Sequence, residues 1–222
     1  MLKHPAIPYV APFAVFMLCL GLGGLVPLAQ PWESLVWVGV VAATIWFTSR
    51  HLVAGFRFPH WGGSVLVGVG VCALWVAPDA LIPGWRESWL FQNSITGKVK
   101  VSIPAAELAD PLVLWLRVAR AALLVPILEE LFWRGWLPRW IQNSDFERVP
   151  LGRYTTFAFV VTALLFASEH GPFWEVGLLA GIIYNWWMWR TKSLGDLVLA
   201  HAVTNACLAG YVWTTRQWQY WM

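Results

Sequence analysis

The sequence predicts an all-α fold, a polytopic transmembrane helix bundle of about seven helices, and three observations predict it. Hydrophobic residues make up 59% of the 222 and charged residues only 12%, with mean hydropathy +0.59; an ordinary soluble domain carries about 25% charged residues. The apolar residues fall into seven stretches, and a membrane helix needs about 20 of them. Tryptophan, present eighteen times, gathers near the ends of those stretches, where an interfacial aromatic belt places it. The aromatic content excludes a disordered chain. Cys19, Cys72 and Cys207, each inside an apolar run, exclude a disulfide-stapled secreted module. Seven spans leave little room for anything else, so the expectation is one membrane-embedded domain, 1–222, with its polar motifs within 111–213.

The first stretch, 7–29, follows Lys3 and His4 and resembles a signal peptide, but it is longer than a signal h-region and more spans follow, which favours a retained helix. The second, 34–48, ends in the β-branched and aromatic run 44–48, yet lipid forbids open strands and helix is expected throughout. The third covers 64–80. Gly21 to Gly24, Gly68 and Gly70 read as sites of close helix approach. The polar connection 81–110, with the alternating stretch GKVKVSIP, suits a short hairpin or a lid over the bundle. The fourth stretch, 111–141, holds Pro126 as an expected kink, and 157–167, 176–189 and 194–213 complete the set. Trp32, Trp61, Trp85, Trp89, Trp174, Trp187, Trp189, Trp213, Trp218 and Trp221 are expected at interfaces, and Trp46 and Trp115 in the core. An N-terminus inside puts Lys3, Arg50, Arg57, Arg139, Arg148, Arg153, Arg190 and Lys192 inside and only Arg86, Lys98, Lys100 and Arg216 outside, so N-inside, C-outside is expected. On that reading the net charge of +3 is a topology signal, not a mark of nucleic-acid binding.

Ionisable side chains at membrane depth are costly, and here they are few and concentrated. The fourth stretch carries Arg117, Arg120, Glu129, Glu130 and Arg134, the fifth ends on Glu169 and His170, and the seventh holds His201 and Asn205. Glu130 and Arg134 are four apart with the acid first, the favourable order for a helical ion pair. Glu129 then points about 100° away without a partner, placed to act as a general base. His201 and Asn205 share one helix face, and Phe166, four before His170, puts an aromatic wall beneath an imidazole. Arg117 and Arg120 are expected to pair with Glu107 and Asp110 or to line the same cavity.

Other readings remain open for each residue. The Glu130–Arg134 pair can be structural, His170 can cap a helix at the interface, and His201 with Asn205 can be polar glue between helices. A zinc site lacks an HExxH pair, and no GxSxG elbow offers a serine nucleophile. A small transporter using Glu129 and His170 as a proton relay is a further alternative.

Three motifs, EELFWR (Glu129, Glu130, Arg134), FASEH (Phe166, His170) and HAVTN (His201, Asn205), match EExxxR, FxxxH and HxxxN in order on separate helices. In this the chain resembles the CPBP/ABI family of glutamic intramembrane proteases, related to CAAX prenyl endopeptidases. The resemblance covers the chain from about residue 111 onward. It implies an intramembrane endopeptidase in which Glu129 activates a water held by His170, and His201 and Asn205 donate to the developing oxyanion. Glu130, Arg134 and Phe166 would support them, with no metal or cofactor. It also implies a membrane-associated protein or peptide substrate, the lipid bilayer as surroundings and no nucleic acid. Small size and high tryptophan content point to a bacterial inner (cytoplasmic) membrane protein, for which a surface-protein sorting system is among the partners the resemblance allows. A non-catalytic immunity or assembly factor of the same family is the alternative. Simple alternation of spans places His170 toward the outer end of its helix and His201 toward the inner end of its own, which calls for a helix tilted, broken or re-entrant near Pro126 or Pro172.

Overall fold

The computed structural model describes residues 4–22, 28–99, 108 and 110–221, and among these the chain is helical, with one isolated bridge between Asn93 and Gly97 and no strand. Seven long helices follow in order: α1 (Ile7–Leu22), α2 (Trp32–Ala54), α3 (Trp61–Leu81), α4 (Pro111–Gln142), α5 (Thr156–Ser168), α6 (Trp174–Thr191) and α7 (Leu194–Thr215). They form a polytopic bundle in which α3 packs along α7 and α5 along α6, with α4 against α7 and α1.

Four helices, α2, α3, α4 and α7, are long and apolar enough to cross a membrane. The expectation of seven full spans is thus sharpened: α1 and α5 are shorter apolar helices, and the 13 residues of α5 rise about 20 Å against a hydrocarbon thickness of roughly 30 Å. The end of α5 therefore stops inside the bundle, which brings His170 level with groups from the middle of other helices and removes the conflict that simple alternation created.

The surface carries an apolar collar including Leu18, Phe47, Leu66, Leu123, Phe157 and Leu164, the exterior of an integral membrane protein. Trp46 and Trp115, expected in the core, belong to this collar at 60% and 62% exposure. A bilayer solvates apolar rings as well as a core does, so hydrophobicity alone does not say which way they face. Trp187 corrects the opposite way: it is buried, and its Nε1 donates to Ser64 Oγ at 3.1 Å. Gly68 is a true close approach, since a Cβ there would meet Val203 Cβ at 2.7 Å, whereas Gly21 and Gly70 face open space. Gly23 and Gly24 lie outside the described residues.

Of the 81–110 connection, residues 82–99 dock on the chain end of α3 and the α5–α6 corner. Arg86 pairs with Asp79 at 3.0 Å and Glu175 at 2.6 Å and donates to Pro172 O at 2.7 Å, while Trp174 Nε1 donates to Leu90 O at 3.2 Å. Among its described residues the connection forms the single bridge between Asn93 and Gly97, and 100–104, most of the stretch where a hairpin is expected, lie outside the described residues.

Candidate active site

Helix α4 builds the site around its two prolines. Proline has no N–H, and its ring crowds the carbonyl four residues back. Two residues before each proline a widened π turn ends, Arg120–Leu124 ahead of Pro126 and Leu131–Trp136 ahead of Pro138. Val125 N–H bonds Arg120 O and Leu137 N–H bonds Phe132 O, each five residues back. The expected kink at Pro126 is thus taken up as π turns on both sides of Glu129 and Glu130, a distortion frequent at functional sites. In the π register the carbonyl facing Pro126 is that of Ala121, which receives no backbone donor from it. Asn205 Nδ2 from α7 donates to that oxygen at 2.7 Å. The bond fixes Asn205 beside α4 and leaves the second N–H of its amide for a ligand.

Glu130, Arg134 and His201 are buried together. Arg134 Nη1 donates to both carboxylate oxygens of Glu130, at 3.1 and 3.2 Å, and His201 Nδ1 lies 2.7 Å from Glu130 Oε1. A carboxylate paired with arginine can only accept, which assigns the proton to His201 Nδ1. The other ring nitrogen, Nε2, then faces Glu129, 4.0 Å from its Oε2. Arg134 is held further by Asn185 Oδ1 at 3.0 Å, and Asn185 Nδ2 donates to Phe159 O at 2.9 Å.

Phe166 joins this cluster to His170. Its ring lies 4.3 Å below the Arg134 guanidinium carbon and 4.7 Å from the His170 ring centre. His170 Nδ1 donates to Phe166 O at 2.7 Å, the i−4 carbonyl at the end of α5, which leaves Nε2 as a lone-pair acceptor. The opposite edge of His170 meets Trp75 at 5.2 Å, and Gly177 makes the space: a Cβ there would lie 3.0 Å from the imidazole.

Glu129 is buried, and among the described residues it accepts no hydrogen bond from the protein; it faces a cavity of about 210 Å³. Glu129, His170, His201 and Asn205, contributed by α4, the end of α5 and α7, all line it. A cavity that size exceeds by far the roughly 10–15 Å³ one water requires. Arg117 and Arg120 line it too, nearer the start of α4. Asp110, one expected partner of these arginines, instead caps α4 by accepting from Leu112 N at 2.8 Å, and Glu107 lies outside the described residues. Two further groups were not foreseen from the sequence: Tyr184 packs its ring 5.1 Å from that of His201 and donates to Thr204 Oγ1 at 2.7 Å, and Trp75 walls the cavity. Glu169, noted in the sequence beside His170, accepts from Trp133 Nε1 at 3.0 Å. Asn185 had a sequence signal, as the polar residue of an otherwise apolar stretch; Trp75 and Tyr184 had none to separate them from packing aromatics. Among the described residues, no group of three His, Cys, Asp or Glu side chains is arranged to hold a metal ion.

Residues 111–207, from the start of α4 to the middle of α7, match the family model described as Type II CAAX prenyl endopeptidase Rce1-like. The match takes in all three motifs and supports their resemblance to the CAAX protease-related family of membrane proteases, which are hydrolases acting on peptide substrates. No curated protein and no solved structure matches the chain.

Proposed function

We propose that this member of the CAAX protease-related family is a glutamic intramembrane endopeptidase. The observation that supports it is the convergence of Glu129, His170, His201 and Asn205 from three helices on one cavity, with Glu129 accepting no hydrogen bond among the described residues. In this reading Glu129 takes a proton from a water whose other proton is held by His170 Nε2. The resulting hydroxide attacks the scissile carbonyl. The oxyanion accepts from the remaining Asn205 N–H and from His201, which donates through Nε2 in the doubly protonated form of its ring. Collapse breaks the C–N bond, and Glu129 returns its proton to the leaving amine, giving a new carboxylate and a new amino terminus. Glu130, Arg134 and Phe166 hold His201 and His170 in place. On the charge-derived orientation the cavity end at Arg117, Tyr220 and Trp221 faces outward.

Membrane-reconstituted protein incubated with a mixed-sequence peptide library, read by mass spectrometry, tests this. Glu129→Gln is expected to accumulate as folded protein and leave the library uncut, while wild type cuts it with EDTA present. Loss of cleavage in EDTA that zinc alone restores would overturn the glutamic mechanism, and undiminished cleavage by Glu129→Gln would overturn the role of Glu129. A folded wild type that cuts no peptide would favour the immunity or assembly reading.

A further inference from the structure

A second cleft, of about 40 Å³, opens where the end of α4 meets the start of α5 and the end of α6. No residue lines both this cleft and the cavity at Glu129. Its wall holds three arginines, Arg134, Arg139 and Arg153, and among the described residues no carboxylate. Arg134 is neutralised by Glu130. Arg139 has no such partner. It is only 8% exposed, its Nε and Nη1 donate to the carbonyls of Val149 at 2.7 Å and Gly135 at 3.0 Å, and its guanidinium lies 5.0 Å from the ring centre of Phe146. All three partners are neutral. Among the described residues no carboxylate is in ion-pair contact with Arg139, and its Nη2 makes no hydrogen bond. A buried charge is costly until an opposite charge meets it, so this one asks for an anion.

The start of α5 strengthens the same field. Its N-cap residue, Thr155, makes no capping bond through its side chain, and Thr155 and Ala158 border the cleft, so first-turn N–H groups that no side chain caps lie at the wall. Gly152 makes this assembly possible: its φ is +70°, and a Cβ there would lie 2.6 Å from Met188 O of α6. At the rim Arg153 is exposed beside Tyr154 and Trp189, whose rings are 5.7 Å apart. These aromatics are themselves about half exposed and run into the apolar collar at Phe157. One end of the cleft therefore offers cationic donors and the other an apolar, lipid-facing border.

We propose that this cleft binds the phosphate of an anionic lipid headgroup, with Arg139 and Arg153 as its cationic ligands and the acyl chains laid along Tyr154, Trp189 and Phe157. A guanidinium fork matches phosphate oxygens in pairs. One water takes roughly 10–15 Å³ in the same measure, so the cleft has room for about the three or four oxygens of one phosphate group. On the charge-derived orientation this end of the bundle faces inward, where basic residues meet lipid phosphates. The floor of the cleft is Arg134 and Asn185, so the headgroup sits against the back of the network that fixes His201, and its binding does not depend on the protease reading.

Thermal unfolding of the whole protein in a neutral detergent tests the site. Dioctanoyl phosphatidic acid, dioctanoylglycerol and inorganic phosphate are each titrated at constant ionic strength. The phosphatidic acid is expected to raise the melting temperature saturably, and the other two to leave it unchanged. Half-saturation should move up by about 3- to 10-fold in Arg153→Gln and by about 10- to 100-fold in Arg139→Gln, the range from a solvent-exposed to a buried charged hydrogen bond. Arg50→Gln, which removes an exposed cation of α2 outside the cleft, should leave it where it is. Should Arg139→Gln fail to fold for want of its bonds to Val149 and Gly135, the exposed Arg153 still carries the comparison. An equal rise with inorganic phosphate would make this a site for a soluble anion, and an equal rise with dioctanoylglycerol would make it an acyl contact; either overturns the proposal. So do the absence of a saturable rise and an equal shift in Arg50→Gln and Arg153→Gln, which would mark diffuse attraction to the basic face.

Discussion

The two sides of His201 are built on opposite rules. Behind the ring, Glu130, Arg134 and Asn185 form a closed network in which each charged or polar group has partners inside the protein. In front of it, among the described residues, Glu129 accepts no hydrogen bond from the protein, Asn205 keeps one N–H unspent, and Arg120 has no carboxylate in ion-pair contact. Satisfied groups fix geometry; unsatisfied ones at a cavity wall are the ones a ligand can complete. Adjacent residues of one helix, Glu129 and Glu130, fall on different sides of this division, and their substitution should show it.

The largest effects are expected from these two carboxylates. Glu129→Gln should lower turnover by roughly 10²- to 10⁴-fold, the range of a lost general base, while membrane abundance and thermal stability hold or rise, because a desolvated carboxylate that accepts no hydrogen bond among the described residues is removed. Glu130→Gln should act in the reverse order. It strands the Arg134 cation, and breaking a buried pair destabilises by about 3 to 5 kcal/mol. Abundance and melting temperature measured beside cleavage separate the two; the opposite outcome would exchange their roles.

Asn205→Ala belongs to both sides and should be intermediate. Losing one oxyanion donor lowers turnover by about 10²- to 10³-fold, and the Ala121 carbonyl facing Pro126 loses its partner, destabilising by about 1 kcal/mol. Asn205→Ala with unchanged kcat would remove Asn205 from the oxyanion site and leave it as a brace for the π turn.

The division was only partly visible in the sequence. Spacings of four placed Glu130 with Arg134, Phe166 with His170 and His201 with Asn205 on shared faces, because helix periodicity is a local property of the chain. Seven helices followed from apolar runs for the same reason. What stayed hidden depended on other helices: that Glu130 holds His201, that Asn205 answers a carbonyl released ahead of Pro126, and that α5 is short enough to deliver His170 to mid-bundle. Pro126 did announce a disturbance of α4, but not that it would widen into π turns or be repeated ahead of Pro138. Facing direction was the weakest inference, as Trp46 and Trp187 show, because lipid and core are equally apolar.

Tyr184→Phe should have the smallest effect and sharpens the comparison most finely. The phenol lines the cavity, so by position alone it is a candidate acid or oxyanion donor. Its hydrogen, however, goes to Thr204 Oγ1 at 2.7 Å, and Thr204 passes its own to the carbonyls of Gly68 at 2.9 Å or Ala200 at 3.1 Å, a chain that ends in the α3–α7 contact. That places the hydroxyl with the closed network, although its ring borders the cavity. Phenylalanine keeps the ring beside His201 and removes one neutral hydrogen bond, a loss of about 0.5 to 1.5 kcal/mol, read as a melting temperature lower by a few degrees. Cleavage should stay within about threefold of wild type. A drop of a hundredfold at unchanged melting temperature would move Tyr184 to the reactive side of His201 and make its phenol a third donor to the oxyanion.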